Sequence, residues 1–293
     1  MYLVTGASGQ FGRATLQHLL ETYHVPPSQI IAVSRDPAKL AALAAKGVTV
    51  RKGSFDDEAA LAGAFKGATR LLLISTDSLD KPGQRLEQHL AAVRAAKKAG
   101  VGHVLYVSLQ KADTSAVSFA PDHVGTEKAI VAAGFKGHTF LRNSWYFENI
   151  FHALPGALKS GTQYSAAGHG GIAHISRDDL ARAAAAALVS AKDGATTYTL
   201  TGPREYTTDT VAALVSKATA KPLTVVHVPV EGLVQGMTGA GLPEPLARVF
   251  ASFDDNIARG GLAGVTADYK SLTGQEPETF ESWLARNSQA LAA

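Results

Sequence analysis

The chain contains no cysteine. This absence excludes a disulfide framework, a thiolate zinc site, a cysteine nucleophile and a thiol redox switch. The sequence also lacks a run of about 18 apolar residues, the length that a membrane-spanning helix needs. Its 28 Lys and Arg are scattered singly or in pairs and form no basic stripe. We therefore expect no membrane span and no nucleic-acid partner. Since the chain enters a predicted buried strand directly after Met1, with no export signal, we expect a cytoplasmic location.

The composition that remains is typical of a compact globular protein. The 293 residues are 46 % hydrophobic and 18 % charged, which argues against intrinsic disorder and against a coiled coil. The length corresponds to about two domains. Such a chain can bury a substantial core without help from disulfides or metal.

The first 140 or so residues alternate between short apolar runs and stretches of helical periodicity. Tyr2 to Thr5 form an apolar run that meets Gly6, and apolar residues then recur at the spacing of one helix face. Glycines that can end a helix precede four further apolar runs, at Gly47, Gly67, Gly100 and Gly134. Because most of these runs are continuous rather than alternating, we expect strands covered on both faces. The pattern predicts an α/β fold, a Rossmann-type doubly wound parallel sheet with helices on both faces.

One predicted helix of this region runs from about Pro82 to Ala99. Its apolar face carries Leu86, Leu90, Val93 and Ala96, whereas Gln84, Arg85, Lys97 and Lys98 fall elsewhere. We interpret it as an ordinary covering helix.

The pattern loosens after residue 150, which predicts a smaller C-terminal substrate lobe. We expect residues 1–150 to form the sheet domain, with 172–205 returning to it, and 151–171 with 206–293 to form the lobe. The alanine run 183–187 is interpreted as a helix face that packs closely against the sheet.

The most specific motif lies between the first predicted strand and the first predicted helix. There Gly6 allows a tight turn, Gly9 lets backbone amides approach a pyrophosphate, and Gly12 permits close packing. The motif predicts dinucleotide binding by Gly6, Ala7, Ser8, Gly9, Gln10, Phe11 and Gly12.

The residue after the second predicted strand indicates which dinucleotide is bound. A dinucleotide fold places an acid roughly 20 residues past the glycines to hold the ribose 2′-hydroxyl, but this chain has Ser34-Arg35 there. A guanidinium binds a 2′-phosphate through charge-assisted hydrogen bonds worth about 1.5 to 3 kcal/mol. Arg35 therefore predicts NADPH rather than NADH. The alternative is that Arg35 only solvates the start of a helix.

Several segments together resemble a known family. They are the glycine motif, Val33 to Lys39 (VSRDPAK), Leu72 to Ser75 (LLIS), His123 with Glu127-Lys128, and Leu141 to Asn149 (LRNSWYFEN). The chain resembles the atypical short-chain dehydrogenases of the NmrA-like branch. Within it, the likeness is greatest to bacterial type-2 NADPH:quinone oxidoreductases, with triphenylmethane dye reductases next.

This resemblance implies a set of cofactor-binding residues. Gly6 to Phe11 would hold the pyrophosphate, Arg35 the 2′-phosphate, and Phe55 would lie on the adenine side. Ile74, Ser75 and Thr76 would line the ribose side. The residues placed beside the nicotinamide are Asn143, Ser144, Trp145, Tyr146, Phe147 and Glu148.

Two positions depart from the family. Where relatives tend to have aspartate after the third strand, this chain has Ser54 followed by Phe55. Where they have aspartate after the glycine of the second lobe, it has His169. The departures bear on the adenine contacts and on one edge of the substrate lobe.

The chain also lacks the Tyr-x-x-x-Lys pair with which typical short-chain dehydrogenases protonate an alkoxide. The corresponding residues are His123-Val124-Gly125-Thr126-Glu127. Hydride addition to an aliphatic ketone gives an alkoxide about as basic as hydroxide, with a conjugate-acid pKa of about 15.7. A quinone gives a phenolate with a pKa of about 10, and the difference of roughly 6 units is worth about 8 kcal/mol. The site is therefore suited to delocalised acceptors.

The candidate catalytic residues are Asn143, Tyr146 and His123. Asn143 and Tyr146 would orient the acceptor oxygen or the nicotinamide amide, and Trp145 and Phe147 would offer flat apolar contact area. The alternative for the aromatic residues is that they fill the cleft between lobes. His123 would donate a proton near neutral pH, or would be a structural hydrogen-bonding residue.

We expect an NADPH-dependent reductase that passes a hydride directly to a quinone, without flavin. The alternatives are an NADP-binding redox sensor without turnover and a reductase of triphenylmethane-type dyes. The expected partners are a small-molecule quinone or aromatic acceptor, with a homodimer as the candidate assembly. No metal is expected, because no carboxylate accompanies His169 and His174 at a ligand spacing.

Overall fold

The computed structural model describes residues 1–79 and 81–292, which form nine strands and twelve α-helices. The strands are β1 (Tyr2–Val4), β2 (Ile30–Ser34), β3 (Thr49–Lys52), β4 (Arg70–Leu73), β5 (His103–Leu109), β6 (Gly137–Asn143), β7 (Thr162–Ser165), β8 (Gly194–Leu200) and β9 (Thr224–His227). The helices are α1 (Gln10–Gln17), α2 (Ala41–Ala45), α3 (Glu58–Phe65), α4 (Gln84–Lys98), α5 (Ala120–Ala133), α6 (Leu154–Ser160), α7 (Arg177–Ser190), α8 (Thr208–Thr219), α9 (Val230–Gly239), α10 (Glu244–Ala258), α11 (Asp268–Thr273) and α12 (Phe280–Ala292). A π-helical turn, His18–Thr22, extends α1, and short 3-10 turns lie at Pro27–Gln29, Pro37–Leu40 and Phe147–His152.

Seven strands form one parallel sheet in the order β3-β2-β1-β4-β5-β6-β8. The chain crosses from β1 outward to β2 and β3, then back to β4 on the other side of β1. This order confirms the predicted Rossmann-type doubly wound sheet. In such a sheet, ligands bind beyond the carboxyl ends of the strands, where the order reverses.

The four glycines that were predicted to end helices all have positive φ angles, of 93°, 83°, 77° and 61° in chain order. A strand follows each of them within four residues. An L-residue with a Cβ rarely adopts this backbone conformation, so glycine marks these turns in the sequence. This part of the prediction is confirmed.

Each face of the sheet has its own buried core. One core contains Leu16 and Leu19 at α1, Leu180 and the alanines of α7, and Tyr269 of α11. The other contains buried residues of α3, α4 and α5. The alanine run 183–187 is buried where α7 packs against α1 and the sheet, as predicted.

The packed face of α4 agrees with the prediction at Val93 and Ala96, which are buried, but differs from it in the first half of the helix. Arg85, Gln88 and His89 are 5 %, 8 % and 0 % exposed, whereas Leu86 and Leu90 are only partly buried. The expectation that Arg85 lies off the packed face was therefore wrong. Periodicity of apolar residues alone finds the face of a helix that avoids water, but not a face that is buried through hydrogen bonds.

The second lobe has a separate core built from α6, α8, α12 and the turn Phe147–His152, around Phe147, Phe280 and Trp283. A two-stranded parallel sheet of β7 and β9, which the sequence did not predict, lies beside it. β8 pairs with β6 in the main sheet. Tyr269 belongs to the core of that sheet, so residues near 269 pack with the sheet and not with the lobe.

The helices α9 and α10 form a hairpin that packs mainly against itself, around Val234, Ala247 and Ala251. Side chains of α10 attach the hairpin to the loop before α5, through the buried Ile257 and through polar groups. Ser252 accepts from Ser118 N at 3.1 Å, and Asn256 Oδ1 accepts from Ala116 N at 2.9 Å. Across residues 1–79 and 81–292, every helix is too short or too polar to cross a bilayer.

Candidate functional site

The glycine motif forms a tight turn at the amino end of α1. Gly6 has a φ of +57°, and Gly9 N donates to Gly6 O at 2.9 Å. A Cβ at Gly12 would lie 2.4 Å from Gly6 O, so only glycine lets the helix approach the turn this closely. Gly9, which has no side chain, caps α1, and the first turn, Gln10 to Arg13, carries no carboxylate. The amino end of α1 is therefore open to an anion.

The hydroxyl of Thr5 links this turn to the loop after β4. Thr5 Oγ1 donates to Leu72 O at 3.1 Å and accepts from Ile74 N at 3.0 Å. On the other side, Ala7 N donates to Val33 O at 3.1 Å. The turn is thus fixed to both neighbouring strands. Thr5 was not predicted as a site residue, and its only signal is its place just before Gly6.

Two arginines and a lysine lie near the carboxyl end of β2, where Lys39 Nζ is 3.9 Å from Asp36 Oδ2. Arg35 is exposed there. Arg13 donates from Nε to Ser8 O and from Nη2 to Lys39 O, both at 2.9 Å. Arg13 therefore joins the glycine turn to the loop that carries Arg35 and Lys39. Arg35 was predicted from the sequence, whereas Arg13 and Lys39 were not, although Arg13 directly follows the last glycine of the motif.

The loop after β3 supplies a carboxylate two residues beyond the departure at Ser54. Asp56 Oδ2 accepts from Ser54 Oγ at 3.1 Å, and Asp56 Oδ1 accepts from Gln88 Nε2 at 2.8 Å. The hydrogen bond from Gln88 holds the pKa of Asp56 below its ordinary value, and the charge of Arg35 contributes to this effect. Phe55 lies between Ser54 and Asp56, partly buried against the core.

The loop after β4 is held from behind by α4. Thr76 N donates to His89 Nε2 at 3.0 Å, and Arg85 Nη1 donates to Thr76 O at 2.6 Å. Both backbone polar groups of Thr76 are thus satisfied. Its hydroxyl is buried and has no partner among the residues that the structure describes.

Three more buried oxygens at the carboxyl edge of the sheet have no hydrogen-bond partner among the described residues. Within residues 1–79 and 81–292, they are Gln110 Oε1, Asn143 Oδ1 and Ser144 Oγ, in addition to Thr76 Oγ1. These residues follow or end β4, β5 and β6, which are neighbours in the sheet. Native proteins rarely leave buried polar atoms unsatisfied, since each costs about 1–3 kcal/mol. Such a cluster indicates a site that a polar ligand completes. Gln110 was missed, and its only signal is that it directly follows β5.

Tyr146 brings the glycine turn and the end of β6 together. Its ring stacks on Phe11 with centroids 6.3 Å apart and an interplanar angle of 17°. Asn143 Nδ2 donates to Tyr146 Oη at 3.4 Å. Burial raises the pKa of Tyr146, so its phenol keeps its proton and can donate a hydrogen bond. The structure therefore places Phe11, Asn143 and Tyr146 in one group.

Trp145 belongs to a group of half-buried rings that we call the aromatic wall, made of Phe119, Trp145 and Phe253. Phe253 of α10 lies 4.7 Å from the Trp145 ring and 5.8 Å from the Phe119 ring, centroid to centroid. The wall joins the loop after β6, the start of α5 and the α9–α10 hairpin. It offers apolar surface for a flat molecule.

Phe147 and Glu148 are placed differently from Tyr146. The Phe147 side chain is fully buried in the core of the lobe, 5.2 Å from the ring of Phe280. Glu148 Oε2 accepts from Arg177 N at 3.0 Å, at the amino end of α7. Phe147 therefore belongs to the core of the lobe, whereas Glu148 links the turn after β6 to α7.

His123 has both ring nitrogens engaged within the protein. Arg85 Nη2 lies 3.0 Å from Nε2, and Tyr106 Oη lies 2.9 Å from Nδ1. Because a guanidinium can only donate, Nε2 is the acceptor and Nδ1 carries the proton. Burial lowers the pKa of His123 well below its ordinary value, and the charge of Arg85 adds to this. His123 is therefore a neutral partner of Arg85 and Tyr106, with no ring nitrogen left open.

His169 and His174 have different surroundings. His169 is exposed, with its ring centroid 5.8 Å from that of His227, and His174 is buried beside Phe147 and Phe280. In the part of the chain that the structure describes, no three potential ligands are arranged to hold a metal ion.

A cavity of about 330 Å³ opens on another side of the sheet, lined by residues that include Thr139, Ala187 and Lys192. It lies toward the amino ends of β6 and β8. Ligands of doubly wound folds bind at the opposite ends of the strands. The carboxyl edge of the sheet is therefore a better candidate for the ligand-binding site than this cavity.

Comparison with known proteins identifies the family of the chain. The sequence profile of the NmrA-like family matches residues 2–284. Quinone oxidoreductase 2 of Escherichia coli (strain K12) is 39 % identical over 280 residues, which cover 96 % of this chain and 96 % of that protein.

Two solved structures resemble the chain over nearly its whole length. The NADPH-dependent quinone oxidoreductase of Escherichia coli complexed with NADPH matches with a TM-score of 0.91 and 38 % identity, over 98 % of this chain and 99 % of that chain. The Citrobacter sp. triphenylmethane reductase complexed with NADP(H) matches with a TM-score of 0.88 and 33 % identity, over 98 % of this chain and 100 % of that chain. The resemblance predicted from the motifs is confirmed.

Proposed function

The chain belongs to the NmrA-like family, and from this membership we propose that it is an NADPH-dependent reductase. It passes a hydride to a quinone or a similar delocalised acceptor, without flavin. The observation that carries this proposal is the near full-length likeness to the Escherichia coli quinone oxidoreductase, whose solved structure contains NADPH. The carboxyl edge of the sheet fits such a cofactor, because it combines an open helix terminus with buried oxygens that lack protein partners.

The proposed cofactor contacts follow the edge of the sheet. Gly6 to Gly12 bind the pyrophosphate through backbone amides and the amino end of α1. Arg35, supported by Arg13 and Lys39, binds the 2′-phosphate, which makes the site selective for NADPH. Phe55 lies on the adenine side, and Ile74, Ser75 and the free hydroxyl of Thr76 line the ribose side.

The residues proposed beside the nicotinamide are those at and after the end of β6. Asn143 Oδ1, which has no partner in the described residues, suits the amide N–H of the nicotinamide. Tyr146 keeps its phenolic proton and orients the acceptor oxygen, and Ser144 and Trp145 complete this side. Phe147 and Glu148 support the group from the lobe.

When bound, NADPH supplies the hydride. The protein holds the acceptor against the aromatic wall and excludes water from the reacting face. His123 has no open nitrogen, so the proton that a reduced quinone needs comes from water. A quinone yields a phenolate rather than an alkoxide, and a phenolate is stable enough to take its proton from water later. The reaction therefore does not need the missing Tyr-x-x-x-Lys pair.

A spectrophotometric assay tests the proposal. NADPH absorbance is followed with saturating cofactor and a small uncharged quinone, and we expect oxidation well above the protein-free blank. Asn143→Ala should lower this rate while NADPH binding, measured by fluorescence, persists. If the protein binds NADPH but oxidises none above the blank, the redox-sensor alternative replaces the reductase.

The likeness to the Citrobacter enzyme specifically favours one alternative acceptor class, the triphenylmethane dyes. Loss of dye colour, followed in parallel with the quinone assay, ranks the two. The homodimer and the cytoplasmic location stay predictions, which light scattering and cell fractionation test.

A further inference from the structure

Gln110 is a buried polar residue at the carboxyl edge of the sheet, and none of the proposed cofactor contacts uses it. It directly follows β5 and is 1 % exposed. Its backbone N donates to Asn143 O at 2.9 Å, so the pairing of β5 with β6 continues through this residue. Gln110 therefore lies next to the residues that are proposed to surround the nicotinamide.

A hydrogen bond of the Gln110 side chain fixes the orientation of its amide. Nε2 lies 3.1 Å from Ala263 O, in the segment between α10 and α11. A carbonyl oxygen can only accept, so the amide atom that faces it must be the nitrogen. The other amide atom, Oε1, is buried and has no partner in residues 1–79 and 81–292. Gln110 thus presents a hydrogen-bond acceptor of fixed orientation.

Ser144 lies beside Gln110 at the end of the next strand. Leu109 pairs with Asn143 in the register of β5 and β6, so the residues that directly follow this pair are neighbours about 4.8 Å apart. Ser144 is 2 % exposed, and its hydroxyl has no partner in the described part of the chain. The two side chains do not bond each other. They therefore offer a ligand one acceptor and one hydroxyl, which can donate, at neighbouring points.

Both residues adjoin the aromatic wall. Trp145, one ring of the wall, directly follows Ser144. The Trp145 ring packs against an apolar cluster that contains Leu109, the residue before Gln110. The wall suits a flat ring, and a ring that lies on it can present polar substituents to the two side chains.

We propose that Gln110 makes this site select quinones that carry an N–H or O–H group next to a carbonyl, such as a 2-aminoquinone. The Ser144 hydroxyl donates to the quinone carbonyl, and Gln110 Oε1 accepts from the neighbouring N–H or O–H. A quinone with a methyl group at that position leaves Oε1 buried and unpaired. A site built to hydrogen-bond a group discriminates against the analogue that lacks it.

The redox step remains the proposed one, in which the quinone gains the hydride from NADPH and takes its proton from water. The inference rests on the proposed reductase function and names the class of quinone that this site prefers.

Gln110→Met tests the inference, because methionine has a similar length and removes the amide oxygen. The substrates are 2-amino-1,4-naphthoquinone and 2-methyl-1,4-naphthoquinone, which differ by an NH₂ group in place of a CH₃ group. Since these quinones differ in intrinsic reactivity, the quantity compared between proteins is their ratio of kcat/KM, measured without oxygen. We expect Gln110→Met to lower the amino-to-methyl ratio by at least about tenfold and to leave the Kd for NADPH unchanged.

Gln163→Met is the matched control. Gln163 lies on β7, in the separate two-stranded sheet, and its Oε1 is likewise buried without a partner among the described residues. We expect its amino-to-methyl ratio to equal that of the wild type. An unchanged ratio in Gln110→Met, or an equal shift in Gln163→Met, would overturn the inference. An unchanged ratio with a raised Kd for NADPH in Gln110→Met would assign Oε1 to the coenzyme instead.

A binding measurement on the wild type needs no variant to fold. Calorimetry on the NADP⁺-loaded protein compares the same two quinones. We expect the amino compound to bind at least about fivefold more tightly, and equal affinity would refute the inference. If the wild type reduces neither quinone, the proposed function fails, and the calorimetry still tests the recognition of the N–H group. If it reduces both and Gln110→Met does not shift the ratio, only this inference fails.

Discussion

Gly12→Ala is the substitution whose effect follows most directly from the coordinates. An ideal Cβ at Gly12 would lie 2.4 Å from Gly6 O and 2.9 Å from Ala7 Cα. Both contacts are with backbone, which cannot rotate away as a side chain can. The new methyl group must push α1 away from the glycine turn. Overpacking of this kind costs about 1–3 kcal/mol.

The displaced turn is the proposed pyrophosphate site, so the strain should appear in NADPH binding. Each 1.4 kcal/mol corresponds to about tenfold in Kd, and we expect the Kd for NADPH to rise by roughly one to two orders of magnitude. Fluorescence titration measures the Kd, and urea unfolding measures the stability of the free protein.

Gly63→Ala is the control for the same chemical change. Gly63 lies within α3, and a Cβ there would meet no atom of the described residues within 4 Å. Alanine is favoured over glycine inside a helix by about 0.8–1.0 kcal/mol, so this variant should be slightly more stable and bind NADPH normally. If Gly12→Ala binds NADPH as tightly as the wild type and unfolds at the same urea concentration, the close approach described above is wrong.

Two further predictions concern charge. Arg35→Asp replaces the proposed 2′-phosphate ligand with a carboxylate, so the Kd for NADPH should rise much more than the Kd for NADH, and equal changes in both titrations would count against this role. Burial lowers the pKa of His174 to about 3, whereas an unfolded histidine titrates near 6.5, so the unfolded state binds the extra proton below about pH 6.5 and stability is lost as pH falls toward 3. At pH 4.5 this amounts to about 2.7 kcal/mol, and His174→Leu should show a correspondingly smaller fall in the free energy of unfolding between pH 7 and 4.5; an unchanged fall in urea titrations would contradict the burial of a neutral ring.

The sheet domain was predictable because its signals are local. The apolar runs, the glycines at positive φ and the motif from Gly6 to Gly12 each lie within a few residues of the feature that they specify. The order of strands then follows from the general rules of right-handed crossover connections. Arg35 could be proposed as a site residue for the same reason, since its position is fixed by the end of the second strand.

Features that depend on distant partners were not predictable. Arg85 is buried because Thr76 O and His123 Nε2 accept its hydrogen bonds, and neither partner is marked as such in the sequence. Gln110 and Thr5 carry no motif of their own. β7 and β9 pair across some sixty intervening residues, and each is only four residues long.

Phe147 shows that residues of one sequence motif need not lie at the same site. It lies within the most distinctive segment of the family resemblance, next to Tyr146. A 3-10 turn begins at Phe147, however, and this turns its side chain away from that of Tyr146 and into the core of the lobe. Two residues that are adjacent in sequence, Tyr146 and Phe147, thus have side chains in different places, one beside Phe11 and one in the core of the lobe.

The attachment of the α9–α10 hairpin has a consequence for how such proteins diversify. Phe253, one ring of the aromatic wall, is carried by α10, which packs on α9 and also joins an apolar cluster with Leu109 and Ile172 through Ile257. Hydrogen bonds of Ser252 and Asn256 add to this attachment. The proposed nucleotide contacts lie instead on the loops that follow the strands of the main sheet. Exchanging α9 and α10 between homologues should therefore change the substrate preference of the recipient protein and leave its coenzyme preference unchanged.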